Sequence, residues 1–155
     1  MQHKYQRYDA GSFVVNIDSY HDGIMAGQLF YPHHNEAGQF RSFVQMVLKM
    51  EQKLEEPDAP QAYNVIRTFF PPYLLNKDEE DGYFPRAGKL ATFSLHIMYC
   101  QNTSWQGTIH WLEKNQFQKF RSVLELMLLI DSAIVMKQLT AYHADHNGEA
   151  LEVVK

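Results

Sequence analysis

At 155 residues, 45% of them apolar and 14% aromatic, the chain has enough hydrophobic material for one domain with a real core, which argues against intrinsic disorder. A formal charge of -4 and a pI near 6.0 give no general attraction to phosphate backbones, and no local basic patch is visible. Cys100 is the only cysteine, so an intrachain disulfide is excluded.

The N-terminal stretch, Met1 to Ser12, lacks the apolar core of a secretory signal. The first segment with strand spacing follows. Phe13, Val15 and Ile17 share one face and Val14, Asn16 and Asp18 the other. His21-Asp22-Gly23 then turns the chain into a second alternating run through Gly27, Leu29 and Tyr31. Ser42-Phe-Val-Gln45 fits a capping box, so a helix should begin after Ser42, with Phe43, Met46, Val47, Met50 and Leu54 forming its buried stripe. Phe40 would plug the entrance, and Arg41 beside it is a candidate anion ligand as well as a structural residue.

Between 55 and 92 the chain reads as a linker. Pro57-Asp-Ala-Pro60 stops the helix, an edge strand is plausible around Asn64 to Phe69, and Asn76 to Gly82 forms an acidic turn-rich loop.

The pattern then recurs. Phe40-Arg-Ser42 reappears as Phe120-Arg-Ser122, and the same offset of about 80 pairs Phe13 with Phe93, Ile17 with Ile97, Gly27 with Gly107 and Asn35 with Asn115. Residues 13 to 54 therefore align with 93 to 134 without a gap. In the second unit the simplest hairpin register sets Leu95 opposite Trp111 and Ile97 opposite Ile109, which also brings His96 opposite His110. Glycines inside both strands mark a bulge or a close approach. Ser122 caps a second helix whose stripe is Val123, Leu126, Met127, Ile130 and Ile134, and Arg121 repeats the anion-ligand position of Arg41.

These elements predict an α+β single domain over 1–155: two fused ββα repeats, a mainly antiparallel four-stranded sheet, and two helices on one face. Val44 and Leu48 in one helix, with Leu124, Leu128 and Val135 in the other, would bury against each other. Leu129 and Met136 stand where the first helix has Lys49 and Glu56. This apolar excess calls for a cover, either from the chain itself or from a partner or second copy. The tail after Met136 is less regular, with a short strand or fraying expected at Leu151 to Val154. The most apolar run, Val123 to Met136, contains Glu125, Asp131 and Ser132 and falls short of the roughly 20 residues that span a bilayer.

Chemistry-bearing residues are few. His96 and His110 could share a proton or metal, but two ligands fall short of the usual three or four. His143-Ala-Asp145-His146 with Glu149, and His33-His34 with Glu36, read as polar loops. Cys100 has no basic environment that would make a thiolate. No phosphate-cradling loop, dinucleotide fingerprint or nucleophile elbow occurs, so no cofactor is expected. Phe30, His96 and His110 on an open sheet face would suit stacking of single-stranded nucleic acid, although Asp18 lies on the same face.

Trp105-Gln-Gly107, Phe120-Arg-Ser122 and Leu129-Ile-Asp-Ser-Ala133 together resemble a signature of small uncharacterised bacterial proteins. The resemblance implies a bacterial cytoplasmic origin and transfers no catalytic residue. Trp105 and Gln106, just past the hairpin turn, would contact a partner or pack over the sheet edge. The expected role is a non-enzymatic interaction or regulatory module, contacting protein or a second copy through the open sheet face, the Trp105 hairpin or the second helix.

Overall fold

A computed structural model of the chain describes residues 10–55, 86–99 and 105–152. The expected strand around 64–69, the acidic loop, Cys100 and the turn at 102–104 lie outside the described residues. The described residues form six strands and two helices: β1 (Ser12–His21), β2 (Ile24–Tyr31), β3 (Glu36–Phe40), α1 (Phe43–Leu54), β4 (Ala91–Tyr99), β5 (Gln106–Trp111), β6 (Gln116–Phe120) and α2 (Val123–Glu152). The strands form one antiparallel sheet in the order β3-β2-β1-β4-β5-β6. The class is α+β as expected, but each helix is preceded by three strands, so the ββα unit is corrected to βββα.

The extra strands were hidden because their sheet-to-helix positions are polar at the sheet edge. Glu36 and Gly38 lie on the same face as Phe40, and Gln116 and Gln118 on the same face as Phe120. Only the phenylalanine that ends each strand is buried as a large apolar group. Asn35 and Asn115 close the two preceding turns with φ of 55° and 49°, the left-handed conformation that asparagine tolerates better than most residues. Between β1 and β2, Asp22 and Gly23 both have positive φ, as a two-residue type I′ hairpin requires.

The two halves share their pairing. Val14↔Phe30 in the first corresponds to Ser94↔His110 in the second, and Gly27↔Phe40 to Gly107↔Phe120. The central β1–β4 pairing maps onto itself when the halves are exchanged. Phe13↔Leu95 becomes Val15↔Phe93, and Val14↔Ser94 lies at the centre. The sheet thus has a quasi-twofold axis through that pair.

The observed register differs by one pleat from the expected one. Leu95 faces Ile109 and Phe93 faces Trp111, while His96 is opposite Thr108 and His110 opposite Ser94. A bulge beside each strand glycine supplies one residue of this two-residue shift. Asp18 is the additional residue between Ile17↔Gly27 and Ser19↔Ala26, and Met98 the one between Ile97↔Gly107 and Tyr99↔Gln106. A Cβ on Gly27 would lie 1.8 Å from the Asn16 carbonyl oxygen, and one on Gly107 2.0 Å from that of His96. Both glycines are therefore needed for close backbone approach.

One face of the sheet meets the helices. Phe13, Phe40, Phe93 and Phe120, two from each half at matching positions, are fully buried there with Met46, Met50, Leu126 and Ile130. Each contributes roughly 1.5–3 kcal/mol by leaving water. Ser42 and Ser122 cap α1 and α2, accepting from the N–H of Gln45 and Glu125 at 3.1 Å. Gln45 Oε1 in turn accepts from the Arg41 N–H at 2.7 Å, one residue earlier than in the usual reciprocal box.

The expected contact between helix flanks is not made. Val44 and Leu124 are 66% and 61% exposed, and Leu48, Leu128 and Val135 are also exposed. With three strands per half, α1 rests on β2 and β3 and α2 on β6, so the widened sheet gives each helix its own bed. The tail is corrected as well. Helix α2 continues past Met136, through Asn147 and Gly148, to Glu152, giving 30 residues or about 45 Å. No helix among the described residues is long and apolar enough to cross a membrane.

Candidate functional site

Helix α2 concentrates what the fold leaves available. Its sheet side carries Leu126, Ile130, Ala133 and Ile134, all buried. The opposite side carries Leu124, Leu128, Val135, Leu139 and Tyr142, exposed by 37 to 61%. Starting at Leu128, the outward positions Ser132, Val135, Leu139, Tyr142 and His146 follow in alternating steps of four and three, the spacing with which one helix packs along another. From residue 138 to 146 every residue is exposed, so this part of the helix extends beyond the sheet. Tyr142 and His146 stack there with ring centroids 3.8 Å apart, and the His146 ring nitrogen Nδ1 lies 2.9 Å from the Tyr142 carbonyl.

Beside α2 a cleft of about 160 Å³ opens toward β6. Phe93, Ile109 and Trp111 form its floor, Leu129, Ser132, Ala133 and Met136 its helix wall, and Gln116 and Gln118 its edge. Leu129 is half-buried and Met136 58% exposed, so the apolar excess expected at these two positions borders this opening. Trp111 is 7% exposed, and its indole nitrogen is buried without a hydrogen-bond partner among the described residues.

Elsewhere the polar side chains tie the two halves together. Trp105 is buried, 5% exposed, and donates its indole N–H to Glu51 of α1 at 2.8 Å. As a surface contact it is corrected: it joins the core because its position corresponds to the buried Met25 of the first half. At the position in α2 corresponding to Glu51, Asp131 accepts a hydrogen bond from the Tyr20 hydroxyl of β1. The Asp18 bulge sets this up, since it brings Tyr20 opposite Met25 on the helix side. Burial pushes the Glu51 carboxyl above the ordinary carboxylate range, against the lowering effect of the Trp105 bond and with Glu55 adding to the rise. The bond to Asp131, with burial and the nearby charge, raises the Tyr20 hydroxyl.

The remaining candidates are dispersed. Gln106 is exposed at the start of β5. Phe30, His96 and His110 lie on the sheet face away from the helices, but the observed register removes the direct pairing of the two histidines. His110 instead stacks on Phe117 at 3.8 Å, and its Nε2 lies 2.9 Å from Asn115 Oδ1. Arg41 and Arg121 are exposed beside the serine caps. His33 and His34 meet edge to face in the β2–β3 turn, and His143 lies on α2 rather than in a loop. Among the described residues, no three His, Cys, Asp or Glu side chains converge in a way that could hold a metal ion.

The Tyr20–Asp131 and Trp105–Glu51 bonds were not read from the sequence. Their signal was an acid, Glu51 or Asp131, at the same place in both helices directly after a buried residue of the apolar stripe. Comparison with family models, with curated proteins and with solved structures gives no match to this chain.

Proposed function

We propose that the protein is a non-enzymatic, self-associating interaction module, acting in the cytoplasm, whose contact element is the outward face of α2. The outward row of Leu128, Val135, Leu139 and Tyr142 carries this reading, since heptad-like spacing on an exposed helix is the pattern by which two helices recognise each other. A second copy fits because the same row can pack against itself about a twofold axis, the commonest symmetry of soluble assemblies. The lone cysteine supports a reducing compartment. We further propose that the βββα halves arose by duplication within one gene, a reading supported by the shared registers and by Phe-Arg-Ser recurring at 40–42 and 120–122.

Sedimentation and light scattering over a hundredfold concentration range test the assembly. The expected result is a dimer that dissociates on dilution. A Leu128→Glu, Leu139→Glu double variant should be monomeric throughout and should unfold thermally like the unaltered protein under dilute, monomeric conditions, because both side chains face outward. A monomer at every concentration for the unaltered protein would overturn the proposal.

A further inference from the structure

We infer that the cleft between α2 and the β5–β6 hairpin binds a small neutral molecule built on a single ring and bearing a hydrogen-bond acceptor. The first half explains why a ligand is called for. At the same place there, Lys53 extends over the Tyr31 ring, its ammonium 5.1 Å from the ring centroid, and pairs with Glu36 at 2.8 Å. Lys49 reaches the Gln39 carbonyl alongside it. The chain itself fills that slot.

In the second half the corresponding residues are Ala133, Gln116 and Leu129. The exchange of Lys53 for Ala133 removes three carbons of side chain and an ammonium group, and the exchange of Glu36 for Gln116 removes the opposing charge. What remains is an opening of about 160 Å³ with no charged residue in its lining among the described residues. A cavity of about 150 Å³ with apolar walls is large enough for a benzene ring. An ionic guest would lose its hydration with no counter-charge to replace it, which selects a neutral one.

The lining also defines where polarity is required. Phe93, Ile109 and Ala133 are buried and apolar, whereas Gln116 and Gln118 place two carboxamides at the mouth. Trp111 lies in the floor, so its ring reports on what occupies the cleft, while its indole N–H is itself buried. A ring carrying a carbonyl would accept from the carboxamide N–H of Gln116 or Gln118 as well as fill the space, in the usual pattern of an apolar pocket with few oriented polar groups.

Trp105 and Trp111 are the only tryptophans, so their indole ¹⁵N–¹H resonances report two separate places. Acetophenone titrated into the full-length protein should move the Trp111 resonance saturably and leave that of Trp105, held by Glu51, in place. Toluene, which has the ring without the acceptor, should bind at least tenfold more weakly. Ala133→Lys combined with Gln116→Glu copies the first half and should weaken acetophenone binding at least tenfold, and Ala133→Leu should do the same by volume alone. Absence of a saturable shift at millimolar acetophenone, equal movement of both resonances, or undiminished binding in whichever filled variant folds would overturn the site. Equal affinity for toluene would overturn the acceptor requirement.

Discussion

The Trp105 indole and the Glu51 carboxylate are joined across the two halves of the molecule by a 2.8 Å hydrogen bond, and Tyr20 and Asp131 are joined in the corresponding place on the other side of the axis. Each helix is thus fastened to the hairpin of the opposite half, in addition to lying on its own strands.

Glu51 should make this fastening dependent on pH. Its folded-state pKa is raised chiefly by burial, so its contribution favours folding below the ordinary carboxylate range and diminishes as pH rises through the raised value. Glu51→Gln keeps an acceptor for Trp105 and should abolish that slope, with stability at neutral pH equal to or above that of the unaltered protein. Glu51→Leu leaves the indole N–H unpaired and should cost about 1–3 kcal/mol in denaturant unfolding. A pH slope retained in Glu51→Gln would assign the effect to another group.

The bulge glycines should tolerate no side chain. Gly27→Ala and Gly107→Ala each place a carbon within 2.0 Å of a backbone oxygen, which can be relieved only by shifting the strand. Chemical denaturation should show a loss of at least about 2 kcal/mol for each. The Gly27 change should also disturb the Tyr20–Asp131 bond, visible as a lowered Tyr20 titration, because the bulge sets the position of Tyr20.

Much of this arrangement was legible in the residues, and what was missed has identifiable causes. Alternation through Phe13–Ile17, Gly27–Tyr31, Phe93–Ile97 and Gly107–Trp111 gave four strands, and Ser42 and Ser122 gave both helix starts. β3 and β6 were missed because Glu36 and Gln116 stand at helix-side positions on sheet edges, where polar groups reach solvent. Counting Met98 as a paired residue when it is bulged supplied one of the two residues of register error in the second hairpin, and the pairing of Tyr99 with Gln106 shows that the other arose nearer the turn. The continuation of α2 was missed because Asn147 and Gly148 are poor helix formers, yet the helix runs through them. The cleft needed the third strand and could not be placed without it.

Left-handed asparagines offer a test of the two concealed hairpins. Asn35→Gly and Asn115→Gly should be neutral or stabilising, whereas alanine at either position should cost on the order of 1 kcal/mol. Thermal melts of the four variants would check it. Equal tolerance of alanine and glycine would contradict the turn geometry.

Asp18 should govern a separate acid transition. Arg86 holds its carboxyl below the ordinary range through a two-pronged contact at 2.6 and 2.7 Å, opposed by partial burial and aided by the Lys89 N–H. A depressed carboxylate contributes stability above the ordinary range and loses it as pH falls through the lowered folded value. Asp18→Asn should therefore remove up to about 1 kcal/mol at neutral pH, limited by the solvent access of the pair, and nothing at the acid end. Unfolding midpoints from neutral to strongly acidic pH would show the two curves converging.

The axis through Val14 and Ser94 gives most of the described strand positions a twin in the same molecule, under the same temperature, salt and chain length. A substitution at Lys53 and its counterpart at Ala133 can therefore be compared inside one polypeptide, and amide exchange rates of the two lobes would separate what backbone topology imposes from what individual side chains add. The protein carries its own control experiment.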